Sequence, residues 1–149
     1  MELDRIDRKI LDHLAQDGRI SNTELAKRVG LSPTPCQLRV KKLEKEGFIL
    51  GYRAVLDAEK LQLSHIAFVE VKLNQTDQKT LNNFNAKVRD ITEIEQCHLI
   101  AGSFDYLLKV RTTDINHYRR FLGEVLSTFP QIQSTSTNVS MEAIKEDIL

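Results

Sequence analysis

Residues 21–47 read SNTELAKRVGLSPTPCQLRVKKLEKEG, and this stretch decides the fold of the first part of the chain. Ser21 and Glu24 have the spacing of a capping box, in which each side chain accepts the other residue's backbone N–H. This pattern predicts a short helix over residues 22–29. Gly30 ends that helix, because glycine adopts a left-handed C-terminal conformation without steric cost.

Another helix, the third in chain order, begins at Ser32-Pro33, since serine caps helices and proline is tolerated in the first turn. It extends to about Glu46. A further helix precedes both, beginning near Asp4 and ending at Asp17-Gly18. Its apolar residues recur at the spacing of one buried helix face; they are Leu3, Ile6, Ile10, Leu11 and Leu14. The pattern predicts three helices, of which the last two form a helix-turn-helix.

Residues 48–56, FILGYRAVL, predict a short strand, a turn and a second strand. This hairpin would make the first part of the chain a winged helix-turn-helix. A polar connector follows at residues 57–64. We therefore expect two domains, residues 1–60 and residues 61–149, with the boundary in this connector.

Charge is unevenly distributed, although the chain has 21 basic and 21 acidic side chains in total. Residues 27–53 contain seven basic residues against two acidic ones. The basic residues are Lys27, Arg28, Arg39, Lys41, Lys42, Lys45 and Arg53. Such an excess is typical of a surface that binds phosphate, although a solvated helix face or a protein contact gives the same count.

The third helix separates into two faces. Cys36, Val40 and Leu43 share one face, which we assign to the core. The opposite face and its flanks supply the candidate DNA contacts: Thr34 and Gln37 for base edges, Leu38 for a thymine methyl or for packing beside the groove, Lys41, Lys42, Lys45 and Arg28 for phosphates, and Arg53 for the DNA backbone. The helix is therefore predicted to read double-stranded DNA.

The second part of the chain alternates between strand and helix patterns in the order βαββαβ. The elements are predicted as a strand at 66–73, a helix after Asp77, strands at 94–100 and 106–111, a helix after Asp114 with Ile115 on its buried side, and a strand at 132–139. Residues 141–145 predict a last helical turn. This order is typical of a ferredoxin-like α+β sandwich. One sheet face stays free of helices, so we expect oligomers.

Several function classes are disfavoured. The two cysteines, Cys36 and Cys97, and the four scattered histidines have no metal-ligand or redox spacing. No catalytic constellation, phosphate-binding glycine loop, signal peptide or bilayer-spanning apolar run is recognisable. We expect a soluble intracellular protein that is not an enzyme and needs no metal or cofactor.

Residues 102–106, GSFDY, are a candidate ligand site. Gly102 and its neighbours offer backbone amides to a carboxylate, and Asp105 offers a fixed charge to an ammonium group. These are the two ends of a free amino acid. Glycine and aspartate are equally common in ordinary turns, so the motif by itself does not establish binding.

Blocks of residues along nearly the whole chain strongly resemble the Lrp/AsnC family of bacterial regulators. They are LDRIDR (3–8), DGRISN (17–22), KRVGLSPTPC (27–36), Gly47-Phe48-Ile49 with Gly51-Tyr52, Cys97-His98, FDYLLK (104–109) and Met141-Glu142. The resemblance implies a DNA-binding transcription regulator of the cytoplasm and bacterial nucleoid. It further implies dimers that assemble into octamers, with an amino acid, leucine or methionine, bound between dimers.

The resemblance also implies the residues of the effector pocket. They are Leu99, Gly102, Ser103, Phe104, Asp105 and Tyr106 around the loop, and Thr135, Thr137 and Val139 on the last strand. Two other functions remain open. One is an amino-acid-binding regulatory subunit of an enzyme, against which the basic third helix argues. The other is a nucleoid-organising protein with little sequence preference.

Overall fold

The computed structural model describes residues 1–146. Residues 147–149, with which the predicted second domain ends, lie outside the described residues. Two compact units are present, Met1–Val55 and Leu56–Glu146. Each unit has its own hydrophobic core.

The first unit consists of three helices: α1 (Arg5–Gln16), α2 (Asn22–Val29) and α3 (Pro33–Lys45). These bounds lie within about a residue of those that the capping and glycine signals predict. Apolar side chains from all three helices meet in one core, formed by Ile10, Leu25, Ala26, Val29, Cys36 and Leu43. The predicted helix-turn-helix is thus confirmed.

We predicted a capping box at the start of α2, but the capping box of this unit lies at the start of α1. Ser21 does cap α2, because its hydroxyl accepts the backbone N–H of Glu24 at 3.1 Å. The Glu24 carboxylate, however, pairs with the Arg28 side chain instead of returning to Ser21. At the start of α1, Asp4 and Asp7 make both halves of the reciprocal pair.

The predicted wing is not formed. Residues 48–56 contain no strand in the described structure, and Leu50 is 97% exposed. A lone two-stranded hairpin is marginal in water unless it packs against something, so the β-rich sequence is insufficient here. The predicted cap at Ser32 is also absent, since its side chain makes no capping hydrogen bond.

The second unit is an antiparallel sheet with helices on one side. Its elements are β1 (His65–Leu73), α4 (Gln78–Arg89), β2 (Ile94–Leu99), β3 (Tyr106–Thr112), α5 (Ile115–Glu124), a 3-10 turn (Leu126–Thr128) and β4 (Ile132–Val139). The strands are arranged in the order β2-β3-β1-β4, and neighbouring strands are antiparallel. The predicted α+β, ferredoxin-like arrangement is therefore confirmed.

Alternation along the strands builds the core of this unit. Val69 and Leu108 are paired across β1 and β3, and both are fully buried. Phe84 of α4 packs on Tyr106 with ring centroids 4.3 Å apart and on Phe129 at 5.7 Å. The aspartates that precede the two predicted helices are their N-caps, since the side chain of Asp77 caps α4 and that of Asp114 caps α5.

Two predictions for this unit are wrong. Ile115 is 47% exposed, because it is the first residue of α5, immediately after the cap. Residues 141–145 form no helical turn, since so short a helix gains too few hydrogen bonds to offset the ordering of its backbone. The chain is instead tied to the sheet by a hydrogen bond from Ser140 N to the Ile66 carbonyl, at 2.8 Å.

The sheet face opposite α4 and α5 carries an ionic network. Glu95 and Glu146 both pair with Lys109 and with Arg111. Burial alone would raise the pKa of Glu95, but the charges of Arg111 and Lys109 outweigh it and lower that pKa. Phe68, on the same face, is 38% exposed.

Candidate DNA-binding and effector sites

The turn between α2 and α3 is fixed by backbone and side-chain hydrogen bonds. Gly30 has a φ of +76°, in the left-handed region where glycine is favoured. The next amide, Leu31 N, donates to the Ala26 carbonyl at 2.9 Å. Asn22 Nδ2 of α2 donates to the Pro33 carbonyl of α3 at 2.8 Å. The first turn of α3 is thereby held against α2.

The residues predicted to contact DNA along α3 share its solvent-exposed surface. Cys36 and Leu43 are fully buried on the opposite side. The exposed residues are Thr34, Gln37, Leu38, Lys41, Lys42 and Lys45. Leu38 is 63% exposed. The arrangement offers polar groups near the amino end of α3 and ammonium groups farther along.

The two arginines predicted to flank this surface differ from the lysines. Arg28 is exposed but pairs with Glu24 through Nε at 3.0 Å. Arg53 is exposed in the irregular segment after α3, so it does not belong to a wing. Arg39, one of the seven basic residues of residues 27–53, is engaged by carboxylates of α1 and contributes little free positive charge.

Tyr52, which is 51% exposed, contacts α3 through a hydrogen bond that the sequence did not indicate. Its hydroxyl donates to Glu44 Oε1 of α3 at 2.9 Å. Burial, with help from that carboxylate, raises the pKa of Tyr52 to about 12. A Cβ at position 18 would lie 3.3 Å from the tyrosine ring, so Gly18 leaves room for it. The only sequence signal was an aromatic residue within an apolar run after the helices.

The loop between β2 and β3 carries the candidate effector residues. Ile100 N donates to the Asp105 carbonyl at 2.8 Å and closes the loop. Asp105 Oδ2 accepts the backbone N–H of Leu73 at 2.7 Å, which joins the loop to the end of β1. Asp105 Oδ1 accepts no hydrogen bond from the described residues. The carboxylate is therefore oriented through Oδ2 alone.

Glycine at position 102 is not demanded by the fold. Its φ is not in the left-handed region, and an added Cβ would make only an ordinary contact, 3.4 Å from Ile100. Ser103 is exposed and Phe104 is half-buried. Tyr106 is buried, and its hydroxyl donates to Asn85 of α4. The burial of Tyr106 makes its ring part of the core that supports the loop.

The three predicted residues of β4 lie at different distances from this loop. Thr135 is in the same row across the sheet as Tyr106 and Leu99. Thr137 and Val139 are successively farther along β4, because β4 runs away from that end of the sheet. Leu99 is 61% exposed at the edge of the sheet. Within one chain, the structure thus brings together Leu99 and residues 102–106 with Thr135 at the same end.

Neither a membrane nor a metal site is indicated in the described part of the chain. Within residues 1–146, no helix has the length and hydropathy that crossing a bilayer requires. The same residues contain no group of three or more His, Cys, Asp or Glu side chains placed to hold a metal ion.

Two family profiles match the chain, one in each part. Residues 3–49 match the winged helix-turn-helix DNA-binding profile, and residues 66–149 match the Lrp/AsnC ligand-binding domain. The proline dehydrogenase transcriptional activator of Rhizobium radiobacter is 59% identical over 145 residues, covering 97% of this chain and 93% of the relative. The leucine-responsive regulatory protein of Escherichia coli K12 is 52% identical, covering 97% and 88%.

Solved structures of Lrp/AsnC-type regulators have the same fold as this chain. A transcriptional regulator from Neisseria meningitidis in complex with L-Met superposes with a TM-score of 0.92 at 35% identity, over 98% of this chain and 94% of that chain. AsnC of Escherichia coli gives a TM-score of 0.90 at 26% identity, over 100% and 99%. With a helix-turn-helix, a ligand-binding βαββαβ unit and these relatives, the chain belongs to the Lrp/AsnC family of DNA-binding transcription regulators.

Proposed function

We propose that residues 1–60 read DNA and that residues 61–149 sense a free amino acid and assemble the oligomer. The observation that carries the DNA half is the exposed surface of α3, where three lysines follow two polar residues on a helix whose other side is buried. Lysines contact phosphates without regard to sequence, whereas short polar side chains read base edges.

On this proposal, Thr34 and Gln37 contact bases and Leu38 contacts a thymine methyl. Lys41, Lys42 and Lys45 hold phosphates, and Arg53 is a further contact to the DNA backbone. Arg28 joins the phosphate contacts by leaving Glu24, at little cost, because both side chains of that pair are about half exposed.

For the sensing half, we propose that the effector is leucine or methionine, bound by Leu99 and residues 102–106 with Thr135, Thr137 and Val139 from the same or a neighbouring chain. The backbone amides of the loop would hold the carboxylate, and Asp105 Oδ1 the ammonium group. A glycine that neither its φ nor its surroundings require supports a ligand role for Gly102. The L-Met complex of the Neisseria relative supports an amino acid effector.

Homo-oligomers, dimers and octamers of four dimers, are part of this proposal. The partly exposed Phe68 on the open sheet face supports pairing between chains, because uncovered apolar side chains on a sheet favour association. We place the protein in the cytoplasm, at the nucleoid, without enzymatic activity.

The experiment that tests the DNA half is a titration of the protein's own promoter DNA and of a random duplex over a series of salt concentrations. We expect tight binding to the promoter and a steep fall with salt. Lys41→Gln should weaken binding to both duplexes and reduce the salt slope by about one unit. Lys79→Gln is the matched control, because Lys79 is an exposed lysine of α4, outside residues 1–60. Equal affinity for both duplexes would instead favour a nucleoid-organising protein. Absence of binding to either duplex would favour the regulatory subunit of an enzyme.

The effector half is tested by repeating the titration with leucine, methionine or proline. Proline is included because one relative is named for proline dehydrogenase. Asp105→Asn is the sharper variant, since the amide oxygen still accepts from Leu73 N while the charge is lost. We expect the amino acid response to disappear and DNA binding without effector to stay. A normal response in Asp105→Asn would remove this loop from the effector site.

A further inference from the structure

Arg39 of α3 points toward α1 instead of toward the lysine-bearing surface. Its Nη1 donates to Asp4 Oδ2 at 2.6 Å and to Asp7 Oδ1 at 2.8 Å. The Asp7 side chain is only 6% exposed. A carboxylate so buried is costly without a partner, so the arginine and Asp7 depend on each other.

Both carboxylates serve two purposes at once. Asp4 Oδ1 accepts the backbone N–H groups of Ile6 and Asp7 at 2.8 Å each. Asp7 Oδ2 accepts the backbone N–H of Asp4 at 3.2 Å. The remaining oxygen of each group is the one that binds Arg39. The amino-terminal cap of α1 and the middle of α3 therefore form one hydrogen-bonded cluster.

The charges of this cluster are mutually stabilised. The amide of Asp7 and the guanidinium of Arg39 lower the pKa of Asp4. The carboxylates of Asp4 and Asp7 raise the pKa of Arg39 in turn. The hydrogen bonds that the Arg39 guanidinium donates are charge-assisted and directional.

Directional contacts matter for α3 because its apolar anchors are few. Cys36, Leu43 and the partly buried Val40 pack one side of the helix against the core, but apolar contacts are non-directional and permit small sliding and tilting. Arg39 lies between Cys36 and Leu43 along α3, and its Nη1 binds both Asp4 and Asp7 at once. A small shift of α3 would therefore lengthen or misalign at least one of these two bonds. The cluster of Asp4, Asp7 and Arg39 therefore fixes where α3 lies along α1.

We propose that Arg39, with Asp4 and Asp7, is a positioning residue that sets α3 for base readout and that it does not itself bind phosphate. This inference rests on the proposed role of α3 as the DNA-reading helix. Base contacts require placement within about 0.5 Å, whereas phosphate contacts by flexible lysines tolerate a shift. Loss of the cluster should therefore weaken specific binding more than non-specific binding.

The test compares Arg39→Gln and Asp7→Asn with Lys41→Gln on two duplexes, one selected from a random library by the wild-type protein and one unselected. For Arg39→Gln we expect affinity for the selected duplex to fall roughly tenfold, comparable to one mismatched base pair. Affinity for the unselected duplex and the salt slope should stay as in the wild type. Lys41→Gln should weaken both and lower the slope by about one unit.

Asp7→Asn separates positioning from simple electrostatics. Removal of a negative charge near DNA would tighten binding to every duplex, whereas a positioning role predicts weaker binding to the selected duplex. The double variant Asp7→Asn/Arg39→Gln should resemble either single variant, because the two residues act as a unit. Circular dichroism and thermal melting set a temperature at which each variant is folded. Arg39→Lys, which keeps the charge but has a shorter side chain without the planar guanidinium, replaces Arg39→Gln if that variant does not fold.

An equal loss on both duplexes in Arg39→Gln, together with a slope lower by about one, would show that Arg39 binds phosphate and would overturn this inference alone. Tighter binding of Asp7→Asn to the selected duplex would overturn it as well. A wild-type protein that enriches no sequence from the library would overturn the proposed reading of DNA itself and the inference with it.

Discussion

The two units of this chain differ in the balance of apolar and polar contacts inside each unit. In the described residues, the core of the helical unit consists of six buried apolar residues, and that of the sheet unit of thirteen. The sheet unit contains stacked aromatic rings, such as Phe84 on Tyr106. Both units have polar contacts between elements, such as Glu95 with Arg111 in the sheet unit. Those of the helical unit, among them Arg39 with Asp7 and Tyr52 with Glu44, accompany a core less than half as large.

This difference indicates how each unit serves its proposed role. A small core leaves more of the geometry to directional hydrogen bonds and ion pairs, which suits a helix that must be placed accurately. A larger apolar core supports a sheet whose loops can bind a ligand without unfolding the unit. Substitutions in the two units should therefore differ in size and in kind.

The largest expected effect is in the sheet unit. Phe84→Ala should lower the free energy of unfolding by about 3–5 kcal/mol, because it opens a cavity between Tyr106 and Phe129. Urea unfolding followed by circular dichroism measures this change. Ile115→Ala is the control on α5, where a residue that is 47% exposed should cost far less. Equal losses in the two variants would contradict the assigned core.

The corresponding substitution in the helical unit is Leu43→Ala. We expect a loss of about 2–5 kcal/mol, since this side chain is fully buried. Leu38→Ala on the same helix should change stability by no more than about 0.5 kcal/mol, because Leu38 is largely exposed. Thermal melting of both variants checks the pair. A large loss in Leu38→Ala would mean that its side chain packs against protein and is not free for DNA.

The caps of α2 and α3 give a smaller and sharper contrast. Ser21→Ala should cost about 1 kcal/mol, because its hydroxyl accepts the Glu24 amide. Ser32→Ala should cost a few tenths at most, since Ser32 makes no such bond. Denaturant midpoints of the two variants measure the difference. Similar midpoints would argue against the observed difference between the caps.

The smallest expected effect is on the stability of the folded protein at low pH. The pKa values of Glu95 and Glu146 are lowered from 4.5 in the folded protein. Their contribution to stability is therefore complete above about pH 4.5 and is lost as the pH falls through the lowered values. Glu95→Gln should lose less stability than the wild type between about pH 6 and pH 3. Parallel losses in urea titrations at the two pH values would rule out a contribution from Glu95.

Most of the secondary structure was predictable because its signals are local. Asp77 and Asp114 mark helix starts by their own side chains, and alternation along β1 and β3 reveals which residues face the core. The two errors at residues 48–56 and 141–145 have a common cause. Both stretches have suitable sequences, but neither finds the packing that would stabilise a strand or a helix.

The contacts that join elements were not predictable, because they depend on distance in space. Arg39 was counted with the lysines, since a count of charge does not reveal that Asp4 and Asp7 lie beside it. Likewise, Glu24 has the spacing of a capping box with Ser21, but its carboxylate accepts a hydrogen bond from Arg28 instead. The candidate effector loop was recognisable as a motif, whereas the bond from Leu73 N to Asp105 required the register of the sheet.

The division of α3 into residues that hold it and residues that face solvent has a consequence for divergence among related genes. Cys36, Arg39 and Leu43 keep the helix in place, whereas Thr34 and Gln37 lie at the surface. Mutations at the surface positions leave the stability of the helical unit nearly unchanged. If Thr34 and Gln37 read bases as proposed, a duplicated copy would acquire a new DNA target by a few substitutions, without passing through an unfolded intermediate sequence.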